Sequence, residues 1–324
     1  MADFEDRYFN SSDGVRLHYR DYPGGASDQP PLLCLPGLTR NARDFEPVAD
    51  QVVGKWRVIA LDFRGRGLSD PDPNPERYVP PSYARDVLKL LDQLGIAEAV
   101  FVGTSLGGLV TMLIAASDEE RIAGALINDI GPEIDPAGIA RIRAYVGHAS
   151  HWTDYSAAGR EFATRMGDIF PRWTSSDWDR FARRTCRDAT SSGSGSGGGV
   201  ELDYDMAIAA PFARANDAPQ PNLWPLLEGL RGKPVAILRG ELSDLFAADA
   251  RPAAGKGRGA RLTPIRPRSG GACRAPGRRL PPARWSKRTC RRARTAAPPP
   301  HDRPCNRRAR PCRAPGPDRL RGSW

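Results

Sequence analysis

Histidine, cysteine and acidic residues are all scarce somewhere in this 324-residue chain, and each scarcity excludes something. There are four histidines, His18, His148, His151 and His301, and six cysteines, of which only Cys34 and Cys186 precede residue 251. Two cysteines in so long a stretch make neither a disulfide framework nor a zinc site, and Cys273, Cys290, Cys305 and Cys312 lack CxxC spacing. Cys34, inside an apolar run, reads as a small core residue. No stretch approaches the roughly 18 apolar residues of a membrane-spanning helix, and the acidic start Met1-Ala2-Asp3-Phe4-Glu5-Asp6 has no apolar h-region. The expectation is a soluble, cytoplasmic protein with no metal or organic cofactor and no membrane partner.

Acidic residues almost vanish at the C-terminus. Residues 251–324 carry 22 Lys+Arg, 2 Asp and no Glu; against chain totals of 48 Lys+Arg and 38 Asp+Glu, this leaves 26 and 36 for residues 1–250. The first part is therefore −10 and the tail +20. The tail has no Val or Phe, its only aliphatics are Leu262, Ile265, Leu280 and Leu320, and Arg, Pro, Ala and Gly make up 52 of its 74 residues. So little apolar surface cannot offset the entropy of ordering, and a disordered tail is expected. Codons for those four residues mostly begin with two G or C bases, so the tail resembles a frameshifted translation of GC-rich DNA. The rival, a basic arm for nucleic acid or anionic membrane, is disfavoured because Lys is nearly absent and no aromatic stacking pattern accompanies the arginines.

Residues 1–250 are long enough to bury a large core. Val15 to Tyr19 alternates with period two, whereas Leu32–Leu35 and Val58–Leu61 are continuous apolar runs that suit strands buried on both faces. Phe45, Val48, Ala49 and Val52 share a helical face between those runs. Tyr83, Val87, Leu90, Leu91 and Leu94 mark an amphipathic helix, with Ser82 as candidate N-cap and Gly95 as its stop. Val100–Val102, Ala123–Ile127 and Val235–Leu238 read as further buried strands, and Leu106 to Ala116 as a helix apolar nearly all round. The pattern is α/β with a mostly parallel sheet. Residues 133–222 form an insertion rich in aromatics at helical spacings (Trp152, Tyr155, Phe162, Phe170, Trp173, Trp178 and Phe181), read as the core of a small helical lid. Ser191 to Gly199 reads as a flexible linker within it.

The motif that carries chemistry is Gly103-Thr104-Ser105-Leu106-Gly107, a G-x-S-x-G set between a buried strand and a buried helix. A serine hydroxyl is a poor nucleophile unless it is held exposed on a tight turn, beside a base and opposite oxyanion donors, and glycines at 103 and 107 remove the side chains that would clash there. Leu35-Pro36-Gly37-Leu38, Asp62-Phe63-Arg64-Gly65-Arg66-Gly67-Leu68-Ser69 and Arg239-Gly240-Glu241-Leu242-Ser243-Asp244 follow other strands in the order found in one superfamily. Over residues 12 to about 247 the chain resembles the lid-bearing, esterase-like branch of the α/β-hydrolases. The implied organisation is a hydrolase core in two parts, 1–132 and 223–250, a lid at 133–222, and the basic tail at 251–324.

The resemblance implies Ser105 as nucleophile, the backbone N–H groups of Leu38 and Leu106 as oxyanion donors, and Asp244 as the acid that orients a histidine, with Asp129 as the rival acid. The Asp62 to Ser69 loop reads as structural, with Arg64 tying it down. The catalytic histidine has no candidate in family context: His18 lies in an early strand, His148 and His151 in the lid, and His301 in the tail. The expected activity is hydrolysis of a carboxylic ester or related acyl compound, with an apolar acyl group suggested by the lid aromatics. Carbon–carbon bond hydrolase or lactonase chemistry stands as an alternative, and a non-catalytic hydrolase-fold protein as the rival class.

Overall fold

The structure, a computed structural model, describes residues 2–189, 198–211, 222–243 and 245–246, together with the backbone of 261–265. All of them fall within a compact unit of residues 1–269. The apolar runs form its sheet. Val58–Leu61 is buried at every position, and Leu33, Cys34 and Leu35 are fully buried. Strands β1 (Glu5–Asn10), β2 (Arg16–Tyr22), β3 (Leu32–Leu35), β4 (Val58–Leu61), β5 (Ala99–Thr104), β6 (Ile122–Asn128), β10 (Val235–Gly240) and β11 (Arg261–Ile265) lie in the order β1-β2-β4-β3-β5-β6-β10-β11. β1 and β2 run antiparallel to their neighbours, and every pair from β4 to β11 is parallel. After β3 the chain steps to β4 on one side and then returns to β5 on the other. That reversal opens a crevice beyond the carboxyl ends of β3 and β5, where open α/β sheets bind ligands.

Helix α1 (Glu46–Val52) joins β3 to β4, α2 (Pro80–Gln93) joins β4 to β5, and α3 (Leu106–Ser117) joins β5 to β6. α2 buries Tyr83, Val87, Leu90 and Leu91, as its spacing requires. Its N-terminus differs from expectation: the helix begins at Pro80 with Val79 as N-cap, and Ser82 lies inside the first turn. The two prolines, with φ preset and no N–H needing a partner, start the helix earlier than the hydroxyl would. Gly95 ends it at φ +64°, with Gly95 N–H donating to Asp92 O at 3.1 Å and Ile96 N–H to Leu91 O at 2.9 Å. α3 runs against the sheet with Val110, Thr111, Met112 and Ile114 fully buried, and Thr111 Oγ1 donates to Gly107 O at 2.8 Å rather than standing unpaired.

Between β6 and β10 the insertion holds α4 (Pro136–Tyr145), β7 (His151–Trp152), α5 (Tyr155–Met166), α6 (Ser175–Thr185), β8 (Cys186–Asp188), β9 (Val200–Leu202) and a short α7 (Trp224–Glu228). It is less purely helical than its sequence suggests, since β7, β9 and β8 form a small antiparallel sheet. Trp152, Phe162, Phe170, Trp173, Trp178 and Phe181 pack on one another with ring centroids 4.3 to 6.0 Å apart. Trp152, Phe162 and Trp178 are buried in the insertion's own core, Phe170 and Phe181 pack against it, and Trp173 stays exposed. Most of the expected linker, residues 191–197 of 191–199, lies outside the described residues.

The tail expectation is corrected at one point. Arg261–Ile265 is a strand, paired in parallel with β10 from Ala236↔Arg261 to Gly240↔Ile265. Pairing uses main-chain groups that every residue but proline supplies in full, and this pentapeptide holds two of the tail's four aliphatic residues. As the last strand of the sheet it also tolerates Pro264. The sheet therefore continues one strand beyond β10. The rest of the tail, including His301, lies outside the described residues. Among the described residues no helix is long and apolar enough to cross a membrane.

Candidate active site

Ser105 joins β5 to α3 with φ 50° and ψ −111°, a conformation that costs a residue with a Cβ and persists only where its surroundings fix it. Glycines fix it here. A Cβ on Gly103 would stand 2.5 Å from the carbonyl of Gly107, and one on Gly107 would stand 2.1 Å from Leu35 O in β3. Gly108, which the pentapeptide pattern does not include, belongs to the same packing, because its Cβ would meet Ile130 Cγ2 at 2.5 Å. The serine is half-buried, its N–H donates to Asn128 O at 2.8 Å, and its carbonyl accepts from Leu109 N–H at 3.0 Å.

The loop after β3 reaches the same point. A Cβ on Gly37 would lie 3.9 Å from Ser105 Cβ, which brings the Gly37-Leu38 peptide against the serine. Arg40 N–H donates to Gly37 O at 3.1 Å and closes that loop into a turn. Among the described residues, neither Leu38 N–H nor Leu106 N–H donates to another protein group. Leu106 begins α3, so its free amide also stands at the positive end of a helix.

Of the two candidate acids, Asp244 lies outside the described residues, though its loop is partly visible. Arg239 gathers that loop by donating from Nε to Phe246 O at 2.6 Å, from Nη1 to Gly240 O at 3.0 Å and Glu241 O at 3.3 Å, and from Nη2 to Ser243 O at 3.0 Å. Asp129 is fully placed. It follows the last residue of β6 with φ +56°, the other non-glycine residue beside Ser105 in this region, and its N–H donates to Leu238 O at 2.8 Å. Its Oδ1 is buried without a hydrogen-bond partner among the described residues and lies 3.9 Å from where a Cβ on Gly240 would stand.

The histidines do not join this group. His18 is buried between two carboxylates, with Nδ1 2.7 Å from Asp62 Oδ2 and Nε2 3.0 Å from Asp6 Oδ1. His148 and His151 are exposed on the insertion, and none of the three hydrogen-bonds Ser105 or Asp129. Asp62 is a structural hub: its Oδ1 also accepts from Ala42 N–H at 2.6 Å and its Oδ2 from Leu68 N–H at 3.0 Å. Arg64 fastens the loop as expected, buried among Asp13, Asp72 and Asp86. Its guanidinium holds the Asp13 carboxyl well below the usual range. Burial pushes the Cys186 thiol up to about 12, so it stays protonated, and the buried Cys34 thiol is raised by the same cause.

The insertion is fastened to this region by polar contacts. Arg43 Nη2 donates to Asp203 Oδ2 at 2.6 Å, Asn41 Nδ2 to Arg184 O at 2.9 Å, and Asp205 N–H to Gly65 O at 2.7 Å. A cavity of about 250 Å³ lies in the insertion, lined by Arg187, Glu201, Tyr204 and Asp205 among others, and its lining does not include Ser105. No group of three or more metal-ligating side chains occurs among the described residues.

Comparison with known proteins identifies the relatives of this chain. The family model described as the alpha/beta hydrolase fold matches residues 30–188. The 3-hydroxybutyrate-oligomer hydrolase of Cupriavidus necator is 31% identical over 235 residues, 71% of this chain and 78% of that one. The 2-(acetamidomethylene)succinate hydrolase of Mesorhizobium japonicum is 29% identical over 73% of this chain and 78% of its own. Among solved structures, an alpha/beta hydrolase from Novosphingobium aromaticivorans is 45% identical, with a TM-score of 0.75 over 82% of this chain and 91% of its own.

Proposed function

Because the chain belongs to the α/β-hydrolase family, we propose that it is a serine hydrolase that cleaves carboxylic esters or related acyl compounds through an acyl-enzyme on Ser105. The observation that carries the reading is the strained Ser105 flanked by the free amides of Leu38 and Leu106. Ser105 Oγ adds to the acyl carbonyl, the carbonyl oxygen takes up negative charge facing the two amides, and collapse expels the alcohol with a proton. Water then adds to the acyl-serine by the same path and releases the acid. Serine at the elbow, where aspartate would serve epoxide or haloalkane chemistry, favours acyl transfer. The similarity to a 3-hydroxybutyrate-oligomer hydrolase supports an ester substrate, with carbon–carbon bond hydrolysis and lactonase activity as alternatives within the same chemistry. Most of the insertion aromatics pack on one another, which weakens their support for an apolar acyl group.

Two carboxylates compete to orient the base. Asp129 has the stronger local case, because a buried carboxylate oxygen beside the nucleophile, without a partner among the described residues, is costly unless a donor reaches it. Asp244, at the position the family resemblance implies, remains the alternative. Comparing Asp129→Asn with Asp244→Asn separates them: the true acid loses orders of magnitude in rate when neutralised.

The placement of the histidines favours a second reading, a hydrolase-fold protein without catalysis. Hydrolysis of p-nitrophenyl acetate and butyrate by the 324-residue chain beside Ser105→Ala decides. We expect the variant to lose turnover by at least ~10³-fold. Equal rates from two folded proteins would reject the serine hydrolase and leave the non-catalytic reading. Reading the coding DNA in its other two frames past codon 251 tests the tail independently, through the presence or absence of a Gly-His there.

A further inference from the structure

Arg64 and Arg66 stand two residues apart in one loop and are used differently. Arg64 is neutralised by three carboxylates. Arg66 is 1% exposed and ion-pairs with no carboxylate among the described residues. Its Nη1 donates to Arg64 O at 2.6 Å, and its guanidinium lies 5.1 Å from the Tyr83 ring and 5.4 Å from the Tyr78 ring. Its Nε donates to Leu38 O at 2.9 Å.

Burying a guanidinium without a counter-ion is expensive, and Arg64 already secures the loop. What Arg66 adds is a bond to the residue after Gly37, across from the serine. We propose that Arg66 is a positioning residue for the oxyanion amide of Leu38, an inference that rests on the reading of Leu38 as an oxyanion donor. The Arg40 N–H to Gly37 O bond fixes the turn on one side of Leu38, and Arg66 fixes the Leu38 carbonyl on the other. The residue is thus held on both sides of its Cα while its N–H stays unspent. An oxyanion donor acts through placement made before the charge develops, so loosening that placement weakens stabilisation of the transition state more than substrate binding.

The test uses the full chain with Arg66→Met and Arg66→Lys, and Ser105→Ala as blank. The first readout is the ratio of turnover of p-nitrophenyl acetate to that of its thiono analogue, in which sulfur replaces the carbonyl oxygen. Sulfur accepts hydrogen bonds poorly, so the ratio reports on the oxyanion donors and not on folding. The second is hydrogen exchange at the Arg40 amide, whose bond to Gly37 O closes the turn that holds Leu38. For Arg66→Met we expect the ratio to fall roughly tenfold or more, with KM nearly unchanged and faster exchange at Arg40. Arg66→Lys keeps the charge but lacks the planar fork, so it should fall between, and it carries the test if Arg66→Met does not fold. A folded Arg66 variant with wild-type ratio and exchange overturns the inference while Ser105 chemistry stands. A wild-type chain without Ser105-dependent turnover overturns the hydrolase reading, and this one with it.

Discussion

Gly107 and Gly95 are both glycines at helix ends, yet they serve different needs, and a methyl group tells them apart. At Gly107 a Cβ would sit 2.1 Å from Leu35 O, against backbone that cannot move without shifting β3. Gly107→Ala should cost about 3 kcal/mol or more and abolish activity. Gly95, at φ +64°, faces open space, so Gly95→Ala should cost only about 1 kcal/mol, through the backbone alone. Urea unfolding of the two variants beside the parent checks the difference. The turn at Ser105 and its flanking glycines were legible in the sequence because so tight a strand-to-helix turn needs small residues at fixed spacing. Arg66 was not, because its partners are carbonyls and carbonyls leave no trace in residue types. Asp129 was readable only as a rival: its place after a buried strand shows in the sequence, but its buried oxygen, without a partner among the described residues, does not.

At the scale of elements, Arg64 joins three separate segments through Asp13, Asp72 and Asp86, and the depressed Asp13 carboxyl carries a pH dependence. A carboxyl lowered by folding stabilises fully above its unfolded value of about 4, and that contribution is lost as pH falls toward the folded value. Asp13→Asn should therefore lower stability at pH 6 and flatten the decline between pH 4 and pH 2, as melting temperature against pH will show. The same three-segment joint was invisible to periodicity, which reads one element at a time. Periodicity did read β3, β4, β5 and the buried face of α2, where each residue's burial follows from its own segment. It failed at the start of α2, where two prolines outweigh a serine, and in the insertion, where short strands of two or three residues leave too little pattern to read.

For the whole molecule, composition divides the chain near residue 251, whereas the structure carries its sheet on to Ile265 and its compact unit to Ser269. Composition misses β11 because a strand paired through its main chain asks little of its side chains. A chain ended after Ser269 should melt with the full protein. One ended after Ala250 loses β11 and leaves β10, still paired to β6, with an open outer edge, so it should melt lower and associate more readily. Differential scanning calorimetry with light scattering on both truncations distinguishes them.

Ser105 and Asp129 sit on the ends of neighbouring parallel strands, and the Ser105 N–H to Asn128 O bond ties one end to the other. Their separation is thus set by strand spacing, about 4.8 Å per step, and by the register of a ladder that a loop movement cannot slide. The insertion hangs from different residues, Asn41, Arg43 and Gly65. Exchanging it for another of different length or shape would leave the serine and the carboxylate in alignment, which makes this scaffold divisible into a fixed frame and an exchangeable attachment.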